Sequence, residues 1–281
     1  MTLKLAVVIP TPEVQAPIPV ALLTGDFSLR LEKAARLGYD GVELMASRPG
    51  ELDPAEMHGQ LSRCGLQVAA IASGALALLY RLTLLAADRE TSRSAEARLD
   101  QLIELAAALG APIVTIGGFR GRLANPTWTD PSGARAHLVE VLRRAAQRAA
   151  AAGVRLALEP LNRYESDIVN NADEGLALID EVGHGNLGLL LDTFHMNIEE
   201  ANIAASIEHA MASGNLWHIH LGDSNRLPPG QGHIDFGEIV ATLRRTGYDG
   251  YLSAELLPRP NPDTAAESTI KHMHRALGRP A

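Results

Sequence analysis

Eight short apolar runs alternate with eight stretches of helical spacing, and that alternation limits the fold more than any other feature of the chain. The runs occupy residues 3–9, 41–45, 67–72, 112–117, 154–159, 187–192, 215–221 and 250–256. The helical stretches occupy 27–37, 54–64, 92–109, 132–151, 173–182, 203–212, 236–246 and 263–277. Glycines stand just past many of them, at Gly38, Gly65, Gly110, Gly153, Gly183 and Gly247, where a left-handed residue closes a helix before the next strand. Strands followed by helices of this length predict parallel β/α units. Eight units can close into a barrel or spread into an open doubly wound sheet. The open sheet usually carries a glycine-rich phosphate loop after its first strand. Here Pro10-Thr11-Pro12-Glu13 follows, which cannot supply the needed run of N–H donors. The expected fold is therefore α/β, a (β/α)8 TIM barrel. Its 281 residues are expected to form one domain, since no linker or low-complexity tract divides them.

The ends of the last four strands carry the chemistry. Glu159, Asp192, His220 and Glu255 each close an apolar run, at intervals of 33, 28 and 35 residues, about one β/α unit apart. A barrel gathers the C-terminal ends of its strands around one mouth. In period-2 strands Ala157 and Glu159, Leu190 and Asp192, His218 and His220, and Ser253 and Glu255 share faces, so each candidate extends an inward row. Three carboxylates and an imidazole meeting there would make a site for a hard divalent cation. Carboxylates on opposite sides of a carbon next to a carbonyl can remove a proton from one face and return it to the other. Such a site suits epimerisation, or aldose–ketose isomerisation if the proton returns to the neighbouring carbon. Long loops after strands 1, 3, 4, 6 and 7, at residues 10–26, 73–91, 118–131, 193–202 and 222–235, are expected to build the substrate walls.

Composition excludes other classes. A net charge of −8 argues against nucleic acid or an anionic membrane as partner. The one cysteine, Cys64, leaves no intramolecular disulfide. The first apolar run stops at Pro10, and the mostly apolar stretch 68–80 is broken by Ser73 and Gly74. Neither reads as a secretory core or a membrane span, so the expected location is cytoplasmic.

Four segments then carry a family resemblance. Leu158-Glu159-Pro160-Leu161-Asn162-Arg163-Tyr164-Glu165, the run from Leu191-Asp192-Thr193-Phe194-His195 to Glu200, His218-Ile219-His220-Leu221-Gly222-Asp223-Ser224-Asn225-Arg226, and Ala254-Glu255 occur in order. Together they resemble the ketose 3-epimerases (tagatose and psicose 3-epimerases) of the xylose-isomerase-like barrel superfamily. The segment from Ile116 to Arg122, with Asp235-Phe236, looks closest to the 5-keto-L-gluconate epimerase branch. The resemblance implies one divalent metal (manganese, cobalt or magnesium) on Glu159, Asp192, His220 and Glu255. It also implies that Glu159 and Glu255 are the acid/base pair, that Glu165, His195 and Arg226 hold substrate oxygens, and that the protein is a homo-oligomer. The implied substrate is a free ketose or a keto-sugar acid. Competing readings are a hydroxypyruvate or inosose isomerase of the same superfamily, a DNA-repair endonuclease sharing the barrel, and a non-catalytic sugar-binding module. His218 is not a ligand in the family pattern and is expected to make a structural hydrogen bond one layer below the metal.

Further residues have two readings each. Arg120 and Arg122 face a substrate carboxylate, for which a guanidinium fork is suited, or lie in a solvated loop or a salt bridge. Trp217, on the strand face opposite the histidines, is expected to pack barrel against helix. Trp128 and Phe194 are expected near the rim, as substrate walls or oligomer contacts. Asp223 and Glu199 are expected to be caps or solvated charges. Histidines 58, 137, 184, 209, 233, 272 and 274 lack ligand spacing and are expected at the surface.

Overall fold

A computed structural model describes residues 3–86, 88–124 and 130–279. Its eight strands close into one parallel barrel in sequence order: β1 Lys4–Pro10, β2 Gly41–Met45, β3 Gln67–Ala72, β4 Ile113–Ile116, β5 Arg155–Leu158, β6 Leu187–Asp192, β7 Leu216–Leu221 and β8 Tyr251–Ala254. Closure is by β1 on β8, with Ala6 opposite Ser253 and Val7 opposite Ala254. The expected barrel is what forms, and each strand lies within two residues of its apolar run. Among the described residues no helix is long and apolar enough to cross a membrane.

The outer helices are α1 Phe27–Leu37, α2 Pro54–Cys64, α4 Arg89–Leu109, α5 Pro131–Ala151, α6 Ala172–Val182, α8 Ile203–Ala212, α9 Phe236–Thr246 and α10 Pro262–Leu277. All eight start on an Asp or Asn whose side chain accepts a first-turn N–H: Asp26, Asp53, Asp88, Asp130, Asn171, Asn202, Asp235 and Asn261. These caps satisfy donors that a helix start leaves open. Gly38, Gly65, Gly110, Gly183 and Gly247 close their helices in the left-handed region, and Gly153 adopts it two residues past α5.

Two loops differ from the expectation of irregular chain. The segment after β3 contains α3, Gly74–Tyr80, which buries Ala75 and Leu76. The segment after β6 begins directly with α7, Thr193–Glu199, whose N-cap is Asp192.

A second departure lies at the barrel floor. The β6–β7 register slips between Leu189 and Leu190, so Leu189 pairs with Leu216 and Leu190 with His218, leaving Trp217 unpaired. A bulge of this kind re-aims a side chain. Trp217 packs against Ala70, Ile113, Ala157 and Leu190 inside the barrel, not against a helix, and Arg155 lies 5.1 Å over its ring. The indole occupies the space over Gly188, where an added Cβ would collide with it.

Candidate active site

The four strand-end candidates converge. One ligand atom from each of Glu159, Asp192, His220 and Glu255 lies within 4.8 Å of the others, and all four side chains are buried. His220 Nδ1 is 3.5 Å from Glu159 Oε1 and 3.4 Å from Glu255 Oε2, so one nitrogen is within reach of both glutamates. Asp192 divides its oxygens: Oδ1 accepts the Phe194 N–H at 2.7 Å as the cap of α7, and Oδ2 has no partner. Glu159 Oε1 and His220 Nδ1 are likewise buried without hydrogen bonds. Buried polar atoms left open around one point are unusual and costly. A set of three carboxylates and one imidazole nitrogen fits a divalent cation.

The electrostatics agree with that fit. Burial, with the Glu159 charge beside it, pushes the Asp192 carboxyl up to about 7. Burial also raises Glu159. At His220 burial opposes the cation, but Glu43 and Glu255 outweigh it and lift the imidazole well above its ordinary value. So many acids in so small a space hold protons when no other cation neutralises them. A divalent ion would take the place of those protons.

Beneath this layer lies a residue that sequence reasoning missed. Glu43, from β2, is fully buried, and its carboxylate reaches across the barrel to both histidines of β7. His218 Nε2 is 2.9 Å from Glu43 Oε2, and His220 Nε2 is 3.1 Å from both Glu43 oxygens. Burial alone would raise this carboxyl, yet His220 and His218 hold it well below the ordinary carboxylate range. An ionised carboxylate only accepts, so each Nε2 carries a proton towards Glu43, and in His220, held as the cation, the Nδ1 proton is the one a metal ion would displace. A carboxylate behind a ligating imidazole is the usual way to fix its tautomer and orientation. His218 thus takes the structural bond one layer down expected for it. The only sequence signal for Glu43 was a carboxylate inside an otherwise apolar strand.

His195, Arg226 and Glu165 frame the same space. His195 Nδ1 accepts from Asn162, from the backbone N–H at 3.2 Å and from Nδ2 at 2.7 Å. Burial and the nearby Arg226 charge drive the imidazole well below its ordinary value. The ring is therefore neutral with its proton on Nε2, which lies 3.9 Å from Glu159 Oε1 and is otherwise unpartnered. Arg226 Nη1 donates to Glu165 Oε1 at 2.9 Å, Nη2 lies 3.8 Å from Glu255, and Cζ stacks 5.0 Å over the Phe194 ring. Phe194 therefore supports Arg226, and Trp128 lies outside the described residues.

Arg226 is held in the left-handed region at φ 59°. Its N–H donates to Asp223 O at 2.7 Å and its carbonyl accepts from Leu257 N at 2.8 Å. Asp223 is not a solvated charge: it is fully buried and accepts the N–H groups of Ser224, Gly230 and Ile234 at 2.7, 2.8 and 3.2 Å. Glu199 is not solvated either, since it takes the N–H and guanidinium of Arg163. The seven remaining histidines are exposed or half-buried, as expected.

The arginines after β4 do not meet the expectation of a carboxylate reader. Arg120 follows a tight turn, Gly118–Arg120, that folds its guanidinium back behind the strand ends, where it is fully buried. It donates to the carbonyls of Gly117, Glu159, Ile168 and Val169 and to Ser166 Oγ, at 2.6–3.2 Å. No donor is left for a ligand. Burial lowers this group to about 10, so it remains cationic at neutral pH. Arg122 is exposed, and its Nη2 donates to Tyr164 O at 3.1 Å.

A cavity of about 190 Å³ opens over the cluster. Glu159, His220, Glu255, Glu165 and Arg226 line it, together with Val20, Met45, Ala72, Ala77, Leu78 and Thr115.

Residues 31–276 match the profile of the family described as xylose isomerase-like TIM barrel. The chain is similar to an L-ribulose 3-epimerase of Mesorhizobium japonicum, with 35% identity over 228 residues covering 80% of this chain and 73% of that protein. It is also similar to a 3-dehydro-D-guloside 4-epimerase of Escherichia coli, with 32% identity over 165 residues, 56% of this chain and 62% of that protein. Among solved structures, a D-psicose 3-epimerase with D-tagatose from Clostridium cellulolyticum superposes with a TM-score of 0.78 at 26% identity, over 98% of this chain and 97% of that one.

Proposed function

We propose, from the premise that this chain belongs to the xylose isomerase-like TIM barrel family and is an epimerase of carbohydrates, that it inverts C3 of a free ketose. The observation that carries this reading is the pair Glu159 and Glu255, each within 3.5 Å of His220 Nδ1 and both bordering one cavity. A binding module has no use for two bases beside a cation site.

Glu159, Asp192, His220 and Glu255 would hold one divalent ion. The oxygen-rich set suits manganese, cobalt or magnesium better than structural zinc. When bound, the ion supplies a Lewis acid that stabilises negative charge on neighbouring substrate oxygens. The protein's own residues account for the rest. Whichever glutamate faces the C3 hydrogen takes it as a proton and leaves an enediolate. The opposite glutamate, protonated, delivers its proton to the other face of C3, and the configuration inverts. Arg226 and the Nε2–H of His195 are donors suited to the oxygens on which charge develops. Glu165, paired with Arg226, fixes the guanidinium and offers an acceptor for a sugar hydroxyl.

A neutral ketose is favoured over a keto-sugar acid such as 5-keto-L-gluconate. Arg120 has no free donor, Arg122 is at the surface, and apart from Thr115 the rest of the cavity lining is apolar or glycine. The test is incubation of the metal-loaded protein with a panel of ketoses and keto-acids in D2O. Deuterium should enter at C3 of a neutral ketose alongside its epimer. Absence of C3 exchange from every ketose would sink the reading.

A further inference from the structure

The two glutamates are not held in the same way. Glu255 is reached by His220 and Arg226. Glu159 has in addition a bracket behind it. Its carboxylate passes in front of the end of β4, over Gly117, the first residue beyond that strand and part of the same cavity wall. A Cβ built on Gly117 would overlap Glu159 Oε2 and lie 3.4 Å from its Cδ. The missing side chain is therefore the space in which the carboxylate lies. Behind the same pair, Arg120 Nη1 donates to the carbonyls of Gly117 at 3.1 Å and Glu159 at 2.6 Å, tying the two strand ends together. The other Arg120 donors hold Ser166, Ile168 and Val169, in the loop that also carries Asn162 and Glu165. A fully desolvated guanidinium with no carboxylate bonded to it is expensive to bury, and here its bonds join the ends of β4 and β5, where Glu159 stands, to the loop that follows.

We propose that Gly117 and Arg120 are positioning residues for Glu159 and not for Glu255, so that this turn governs one face of the substrate and not the other. The proposal rests on the two-base reading above. It has an asymmetric consequence. With Glu159 displaced, an epimer whose C3 hydrogen faces Glu255 still loses it as a proton to that carboxylate. The carboxyl exchanges with solvent and returns a deuteron to the same face, so C3 is labelled without inversion. The opposite epimer, whose hydrogen faces Glu159, is inert.

The experiment uses Gly117→Ala, Arg120→Met and Arg120→Lys as full-length, manganese-loaded enzyme in D2O. Both members of one ketose pair are followed by NMR for C3 deuteration and epimerisation separately, and manganese affinity is titrated calorimetrically. Misplacement of a catalytic group by about 1 Å costs up to about a hundredfold. Epimerisation should therefore fall about 10- to 100-fold. Exchange with retention should persist within about threefold of wild type for one epimer and fall with epimerisation for the other. KM should move less than about threefold and manganese affinity less than about tenfold, since three other ligands are untouched. Equal loss of exchange on both epimers in a folded variant, or no loss of epimerisation in any variant, would overturn the proposal while leaving the two-base reading intact. A wild type without C3 exchange would overturn both. If the arginine variants do not fold, Gly117→Ala, which adds one methyl group at the cavity edge, decides alone.

Discussion

The half of the barrel from β5 to β8 and the half from β1 to β4 share one architecture and divide the work. The first ends in Glu159, Asp192, His220 and Glu255 around one point. The second presents Val8, Met45, Ala72 and Ala75, packed with Val14, Ile18, Val20 and Ala21 from the long loop after β1. One half therefore offers charge and the other an apolar wall. The lesson is that a barrel can keep its reactive groups on adjacent strands and use the opposite arc for shape. Glu43 is the exception that joins the halves, since it leaves β2 and supports the histidines of β7 from across the interior.

The polar half cannot be changed without loss. Glu159→Gln and Glu255→Gln keep a ligand oxygen but lose basicity, and each should lower kcat by about a thousandfold or more, the upper range for removing a general base. Steady-state rates on the ketose active in wild type measure this. Near-full activity in either variant would end the division of labour.

The next effect is on the cation. Asp192 lies near 7 instead of its ordinary 3.8, and Glu159 is raised as well. A raised carboxyl keeps its proton in the folded state, so that contribution to stability is complete below about 3.8 and is lost as pH rises towards about 7. The chelated protein should lose Tm across that window, while the loaded protein does not. A cation must displace at least one proton, so manganese affinity should rise about tenfold per pH unit, or about a hundredfold between pH 5 and 7. Calorimetric titration and paired melting curves check it. A flat affinity would mean that the cluster binds no cation in the way argued.

How much of this was legible in the sequence follows from local geometry. The four strand-end residues could be read because each closes an alternating run, and alternation fixes a face without knowledge of the fold. The closing glycines could be read for the same local reason. Trp217 could not, because a one-residue slip against β6 sends it to the other face. Arg120 could not, because a strand-end position does not say which way a three-residue turn throws a long side chain. Asp223 and Glu43 look like ordinary carboxylates in sequence. Only the tertiary fold brings Gly230 and Ile234 to the one and His218 and His220 to the other.

Those two carboxylates act on the site from behind it. Glu43→Gln retains the shape but frees the His220 tautomer, and should weaken manganese binding about 10- to 100-fold, the usual cost of removing a carboxylate behind a ligating histidine. If affinity is unchanged, the apolar half contributes nothing to the cation site. Asp223→Ala should raise KM about tenfold with a smaller change in kcat, because the loop that keeps Arg226 in its left-handed conformation loses its central acceptor. A variant that lowered kcat alone would show instead that Arg226 acts chiefly in the transition state.

The smallest expected effect concerns the wall itself. Arg122 is the guanidinium after β4 whose bonds leave it free to turn, yet it is exposed and its described bond is to Tyr164 O. A carboxylate at the far end of a six-carbon chain would gain a charge-assisted bond worth about 1.5–3 kcal/mol if a guanidinium reached it. That gain would appear as roughly a tenfold to hundredfold preference for a keto-acid over a neutral ketose. With Arg122 at the surface and Val20, Met45, Ala72 and Leu78 in the cavity lining, no such gain arises, and an unpaired carboxylate against those side chains loses hydration instead. Arg122→Ala should therefore change kcat/KM by less than about twofold for either substrate type, and the neutral ketose should remain the better one. Measuring both substrates with wild type and variant decides it. A keto-acid preference that disappears in Arg122→Ala would mean that the loop after β4 closes over the cavity, and that the apolar half also carries charge to the substrate.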